Sequence, residues 1–351
     1  MSQALYPTRS GYLSQLPSSK RTRLEGTHTL STPVRFLILS DTHGAELPEK
    51  LPPCDVLLHC GDLTEYGNPA SISAALQTLG KVEAKLKLVI AGNHDISLDE
   101  SYWLSQGGTE ADAERADAMV SSETGSEASK NGITFLREGT HTFTLACGAT
   151  FKIYASPYTP LYGVSAFQYP SNEDRFSSSG TPPWAKNVGS ETSTIPNNVD
   201  IVMTHGPPKY ILDTTSDGQS AGCEHLRRAI ARAQLRLHCF SHIHTPRRGF
   251  YEAHVLDFRG EAELDSNTDI ESISKIWIGE NSAHRKGFRS LPPGSAQDFR
   301  GNKQQTLCVN AAMEGTEPGV LEHPPWLVDL DLPARRDMGM GDAVGENLHL
   351  T

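Results

Sequence analysis

The chain has 351 residues, enough for one large domain or two ordinary ones with a substantial buried core. Its 42 acidic against 31 basic side chains give a formal net charge of -11, which repels polyphosphate backbones: a small phosphorylated molecule is an easier partner than a nucleic-acid polymer. No stretch reaches the roughly 18 apolar residues of a membrane helix, and the opening MSQALYPTRS lacks the apolar run of a signal peptide, so a cytoplasmic or nuclear protein without a membrane partner is expected.

Residues 1–33 are rich in Ser, Thr and Arg without an apolar period, which predicts a flexible tail carrying the cluster Lys20, Arg21 and Arg23. From residue 34 short runs rich in Val, Ile and Leu follow one another: VRFLILS, DVLLHC, KLVIA, DIVMT and LRLHCF. They are predicted strands, and the stretches between them leave room for helices over 70–82 and 223–233. Continuous apolar strands alternating with helices indicate an α/β domain whose sheet is covered on its faces, here spanning 34–333. Residues 107–131 begin as an acidic helix and end as a Ser, Gly and Glu loop, while 172–198 and 260–304 are polar and read as surface insertions. Two more strands, TLCVNAAM and WLVDLDL, precede a C-terminal tail over 334–351. The six cysteines form no CxxC pair and are expected to be reduced and structural.

The chemistry repeats one arrangement five times: an apolar run ends and metal-ligand residue types follow at once. Asp41 and His43 come after FLIL, Asp62 after VLLHC, and Asn93, His94 and Asp95 after LVIA; His205 follows DIVM, and His242 and His244 follow LRLHCF. Ligands of open α/β sheets gather beyond the carboxyl ends of the strands, so five such loops can converge on one site. Imidazoles, two carboxylates and an amide oxygen without a thiolate suit manganese first, with iron, zinc or magnesium as further fits. Seven ligands are too many for one ion that keeps an open position. Two divalent ions ~3.5 to 4 Å apart, bridged by one carboxylate, would use them all and leave room for a hydroxide and phosphate oxygens.

The series DTH, GD, GNHD, H and HxH resembles the calcineurin-like metallophosphoesterase superfamily. LSDTHG, LLHCGDLTEYG, IAGNHD, IYASPYTP, THGPP and SHIH resemble its branch of small metallophosphoesterase-domain phosphodiesterases more closely. The resemblance implies a four-layer α/β/β/α sandwich of two mixed sheets with a dinuclear metal site at the sheet edge. It implies Asp41, His43, Asp62 and His244 around the first ion, and Asp62, Asn93, His205 and His242 around the second. His94 would serve catalysis as a proton donor or charge stabiliser, with Asp95 orienting it. The pattern before HxH is normally Gly, and here it is Ser241; if φ is positive there, Ser costs about 1 kcal/mol.

The implied activity is hydrolysis of a small phosphodiester, a cyclic nucleotide or related molecule, by in-line attack. A phosphomonoesterase or protein Ser/Thr phosphatase is the alternative, although protein phosphatases of this superfamily carry Arg soon after GD and read GNHE, whereas this chain reads GDLTEYG and GNHD. A binding or scaffold protein, or a non-phosphate reaction on the same ions, is a third reading, and the complete ligand set argues against a degenerate scaffold. Among the other residues, His59 and His238 lie inside apolar runs and read as hydrogen-bonded core histidines. Tyr154, Tyr158, Tyr162, Phe167 and Tyr169 read as core aromatics or as a cleft wall, and Asn310 as a turn residue or one approaching the site.

Overall fold

The computed structural model describes residues 31–244, 249–257 and 273–334; the Lys20, Arg21 and Arg23 cluster, part of the 260–304 segment and the stretch from 335 lie outside the described residues. In chain order the elements are β1 (Ser31–Leu39), β2 (Val56–His59), α1 (Pro69–Gly80), β3 (Leu86–Val89), α2 (Glu100–Ser105), α3 (Glu110–Val120), α4 (Glu127–Lys130), β4 (Ile133–Phe135), β5 (Gly139–Thr144) and β6 (Thr150–Ser156). Four two-residue strands follow, β7 (Thr159–Pro160), β8 (Gln168–Tyr169), β9 (Glu173–Asp174) and β10 (Lys186–Asn187). The rest are β11 (Ile201–Thr204), α5 (Glu224–Ala233), β12 (Leu237–Phe240), β13 (Phe250–Asp257), β14 (Ile273–Gly279), α6 (Glu280–Lys286), α7 (Pro293–Gly301), β15 (Gln305–Asn310) and β16 (Trp326–Pro333).

Two mixed sheets carry the fold, a five-stranded one in the order β16-β1-β2-β3-β4 and a seven-stranded one in the order β14-β13-β15-β12-β11-β6-β5. The strands that lead into the motif loops are parallel to one another in each sheet, β1, β2 and β3 in the first, where β16 pairs antiparallel on the far side of β1, and β11 and β12 in the second. Side chains alternate across a strand, so Val34, Phe36 and Ile38 face the other sheet while Leu37 and Leu39 face outward. Phe36 meets Phe151 edge to face across the inner layer, ring centroids 5.7 Å apart.

Helices cover both outer faces. Asn68 caps α1 by accepting from Ser71 N at 3.0 Å, Pro69 fills the first turn, and Ile72, Ala75, Leu76 and Leu79 bury one stripe against the first sheet. On the other side α5 buries Leu226, Ala229, Ile230 and Ala233 with Tyr154, Val202 and Phe240, and a left-handed Gln234 ends it. Helix, sheet, sheet and helix therefore form four layers.

The segments expected as insertions are more ordered than their composition suggests. In 107–131 the expected acidic helix forms as α3, capped by Thr109, and α4 forms where loop was expected. In 172–198, Phe176 and Ile195 enter the core beneath α5. The described part of 260–304 adds β14 to the edge of the seven-stranded sheet and then two helices. Its strand is half exposed, with Trp277 at the surface against Phe250, so no apolar run marked it.

Candidate metal centre

The carboxyl ends of β1 and β2 run on as a ladder past the last paired residue. Asp41 N donates to Gly61 O at 3.1 Å, and Thr42 N and His43 N donate to Asp62 O at 3.0 and 3.1 Å. Within it Asp41, His43 and Asp62 adopt left-handed φ of 50°, 45° and 53°, and His242 joins them at 69°. Non-glycine residues there cost on the order of 1 kcal/mol or more each, strain of the kind that gathers at functional sites. The strain expected at Ser241 falls one residue later: His242 carries the positive φ, and Ser241 is tied by its N–H to His205 O at 2.9 Å.

The predicted ligands come together in two groups. Asp41, His43 and His244 form one and Asp62, His205 and His242 the other, each with potential ligand atoms within 4.8 Å of one another. His244 Nε2 lies 2.7 Å from Asp41 Oδ1. His205 Nε2 lies 2.8 Å from Asn93 Oδ1 and 3.3 Å from Asp62 Oδ2, and His43 Nε2 approaches the same Asp62 oxygen at 3.8 Å. Asp62 thus stands between the groups. Its place requires Gly92, where a Cβ would collide with Asp62 Oδ1. Gly61, at φ +100°, likewise leaves room for the His205 ring, whose Nδ1 would be 2.8 Å from a Cβ.

Charge and hydrogen bonding both leave room for cations. Burial pushes the Asp62 and Asp41 carboxyls up, but the imidazoles around them, His205 first for Asp62 and His244 first for Asp41, pull both below the ordinary range. Against burial, the Asp62 carboxylate holds His205 up at about 9, and the Asp41 carboxylate holds His244 up at about 10. Burial and the nearby His205 charge drive His242 down to about 4. Asp41 Oδ2 and both ring nitrogens of His43 are buried without a hydrogen-bond partner among the described residues. Inward, mixed nitrogen and oxygen donors without hydrogen bonds, approached at His43 by the carboxylates of Asp62, Glu65 and Glu314, fit divalent ions of the manganese, iron, zinc or magnesium kind.

His94 stands beside both groups, its ring edge to face with His43 at 4.8 Å and its main-chain N–H donating to Asp62 Oδ1 at 2.8 Å. Its Nδ1 lies 3.1 Å from Glu65 O, an acceptor only, so Nδ1 carries hydrogen. Burial lowers its pKa, but the Asp62 charge and the Glu65 carbonyl raise it more. Asp95 does not orient this ring as expected. It is wholly buried and turned to the backbone, accepting from Gly92 N, Leu63 N, Thr64 N and Thr64 Oγ1 at 2.9, 3.2, 3.0 and 2.8 Å, so it fixes the two loops that carry Asp62 and Asn93.

Sequence reasoning missed three residues. Glu65 Oε2 lies 3.0 Å from His43 Nδ1, Ser165 pairs with Asn93 through both its main-chain O and its Nδ2, and Glu314 reaches His43 and His244 from the loop after β15. Glu65 was visible within GDLTEYG; Glu314 and Ser165 sit in loops without a pattern. Asn310 supports the site indirectly, donating to Ile243 O at 2.9 Å between the two histidines of HxH. His59 and His238 are core histidines as read, bonded to Thr42 Oγ1 and Thr204 Oγ1 at 3.0 and 2.9 Å. Of the aromatic segment, Tyr154, Phe167 and Tyr169 are buried, while Tyr162 is 73% exposed and belongs to no core.

A family profile for the calcineurin-like phosphoesterases matches residues 34–246. The chain is 34% identical over 213 residues to a protein of Emericella nidulans named probable rhamnogalacturonate lyase C, 60% of this chain and 17% of that one. It is 32% identical over 216 residues to metallophosphoesterase domain-containing protein 1 of Homo sapiens, 60% of each chain, and 30% identical over 218 residues to UPF0046 protein T07D4.2 of Caenorhabditis elegans, 60% of this chain and 51% of that one. The matches thus span less than two thirds of these relatives' lengths. The solved structure of TT1561 from Thermus thermophilus aligns with a TM-score of 0.35 and 11% identity over 63% of this chain and 84% of that one. No helix among the described residues is long and apolar enough to cross a membrane. The chain belongs to the calcineurin-like phosphoesterase family.

Proposed function

We propose that this protein is a two-ion phosphodiesterase acting on a small soluble diester, a cyclic nucleotide or related molecule, in the cytoplasm. The observation that carries the reading is the pair of ligand groups joined at Asp62, with the main-chain N–H of His94 bonded to the same carboxylate and its ring against His43. Asp41, His43, Asp62 and His244 would hold one divalent ion and Asp62, Asn93, His205 and His242 the other. When bound, the ions supply the nucleophile from water and offset the charge of the phosphoryl group. Ser165 keeps the Asn93 amide turned toward His205, and the Cys60 carbonyl, 2.9 Å from His205 Nδ1, leaves Nε2 facing the second group. His94 Nδ1 is engaged by the Glu65 carbonyl, so the proton for the leaving oxygen comes from Nε2, and against burial the Asp62 charge strengthens the ring's hold on its proton.

Diester preference rests on position 66. Protein phosphatases of the resembled superfamily carry Arg soon after GD, while this chain has Tyr66, 74% exposed and next to Glu65 in the chain. A monoester dianion gains from a guanidinium fork; a diester carries one charge and a second substituent that such a fork would crowd. The manganese-loaded protein is expected to show a higher kcat/KM on an aryl phosphodiester than on the matching aryl monophosphate, and Tyr66→Arg to narrow that ratio. A clear preference of the wild type for the monophosphate or for phosphoserine peptides transfers the assignment to a phosphomonoesterase.

A further inference from the structure

We propose that Glu314 is a further positioning carboxylate of the first metal site, backing His244 through its outer nitrogen and flanking the inner nitrogen of His43, and strengthening that site's hold on its ion. The inference rests on the two-ion reading above and is independent of the diester preference.

Glu314 lies outside every motif of the family, in the loop between β15 and β16. That loop is a small hairpin: Glu314 bridges to Leu321, Gly315 N donates to Val320 O at 3.0 Å, and Gly319 turns it at φ +75°. Gly319 N donates to Glu314 Oε1 at 2.6 Å. With Oε1 anchored, Oε2 lies 3.4 Å from His43 Nε2 and 3.4 Å from His244 Nδ1. The residue is only 8% exposed. A nearly buried carboxylate calls for compensating positive charge. Its neighbours point to an ion: His43 Nε2 and Asp41 Oδ2, both buried, have no hydrogen-bond partner among the described residues, and His244 presents its other nitrogen, Nε2, to Asp41 at 2.7 Å.

The two sites differ in this respect. Around the first group, Glu65 faces the outer nitrogen of His43 and Glu314 the outer nitrogen of His244, whereas the outer nitrogen of His205 meets the neutral Cys60 carbonyl. A carboxylate behind a metal-ligating histidine raises the basicity of the ring and adds negative potential at the ion; loss of such a partner typically weakens metal affinity about 10- to 100-fold.

Glu314→Gln separates this role from hairpin maintenance, because the amide oxygen still accepts from Gly319 N while the charge is gone. Chelator-stripped full-length protein is titrated calorimetrically with Mn2+, and the same substitution is repeated in an Asn93→Ala background, where the second site is disabled. The expected result is a Kd for the first ion raised about 10- to 100-fold in both backgrounds, with the second ion's Kd in the single variant within about threefold. Unchanged affinity for the first ion, or equal weakening of both ions, overturns the proposal. Melting of the metal-free variant near the wild-type temperature is the expected companion result; a collapsed melt that Glu314→Ala reproduces to the same extent assigns the residue to the hairpin and overturns it too. Wild type that binds one ion refutes the two-ion reading, and the effect of Glu314→Gln on that ion then decides Glu314 by itself.

Discussion

The two sheets bring different chemistry to the same edge. The five-stranded sheet delivers both carboxylates and the amide, Asp41, Asp62 and Asn93, with His43 and His94; the seven-stranded sheet delivers the imidazoles His205, His242 and His244, and Glu314 beyond β15. Beneath these loops each sheet keeps a buried histidine bonded to a threonine of the motif loop or strand end, His59 to Thr42 and His238 to Thr204. Neither sheet holds a complete donor set. The site exists only while the inner layer between the sheets is packed, so ion binding and sheet association are linked equilibria.

That linkage is broken most severely at the residue the two halves share. Asp62→Ala is expected to lose both ions and to reduce hydrolysis to the assay background, because His205 and His43 approach the same carboxylate. Saturating metal at about 100 times Kd should stabilise wild type by roughly 2.7 kcal/mol for each ion bound and leave the variant's melting temperature unmoved. Elemental analysis beside thermal melts reads both effects. One full equivalent of tightly held ion in the variant would mean that Asp62 serves a single site.

The same contrast explains what the sequence disclosed. Ligands that follow a four-residue buried strand were readable, since VLLH and IVMT leave the next residue at the sheet edge. The outer pairing was not. Glu314 and Ser165 reach the site from loops whose course depends on β15, β16 and the packing of the aromatic segment, and no local period carries that information. Asp95 sits beside His94 in the chain, and adjacency suggested a shared task; because the turn at 92–95, closed by Asp95 N on Gly92 O, sends the two side chains apart, it serves the backbone of 63–64 and 92 instead. The described part of 260–304 escaped recognition because an edge strand buries only part of its side chains.

A smaller effect tests the side of the site that belongs to one sheet alone. His94→Ala should retain both ions and lose kcat by ~10²- to 10⁴-fold, since its ring, although it makes a third candidate ligand group with His43 and Glu65, lies outside the group that His43 shares with Asp41 and His244 and the group that His205 shares with Asp62 and His242. The loss should shrink on a diester with an acidic leaving group, which needs no proton. Loss of metal in this variant, or an equal loss on good and poor leaving groups, removes His94 from proton transfer.

The smallest effect compares the paired histidines below the site. Burial drives His59 down to about 4 and His238 down to about 3, so both are neutral in the fold, while the unfolded chain protonates them near 6.5. Stability is therefore fully present above 6.5 and is lost as pH falls toward 4, by about 1.4 kcal/mol per pH unit for each ring. Asp95 opposes them: burial and the Asp62 charge hold it up at about 6 against an ordinary 3.8, so below 6 it favours the fold as pH falls and offsets one of the two. His205 and His244, raised to about 9 and about 10, contribute their full share below 6.5 and add no slope in this window. His242 and His323 are likewise driven down to about 4 by burial, so denaturant melts of metal-free protein between pH 4.5 and 6.5 should show a slope near three protons around pH 5.5, four histidines less Asp95, that falls as pH approaches 6.5. His238→Gln, which can still bond Thr204, should remove about one proton from that slope whatever it does to absolute stability, and an unaltered slope would show that His238 takes up its proton inside the folded sheet.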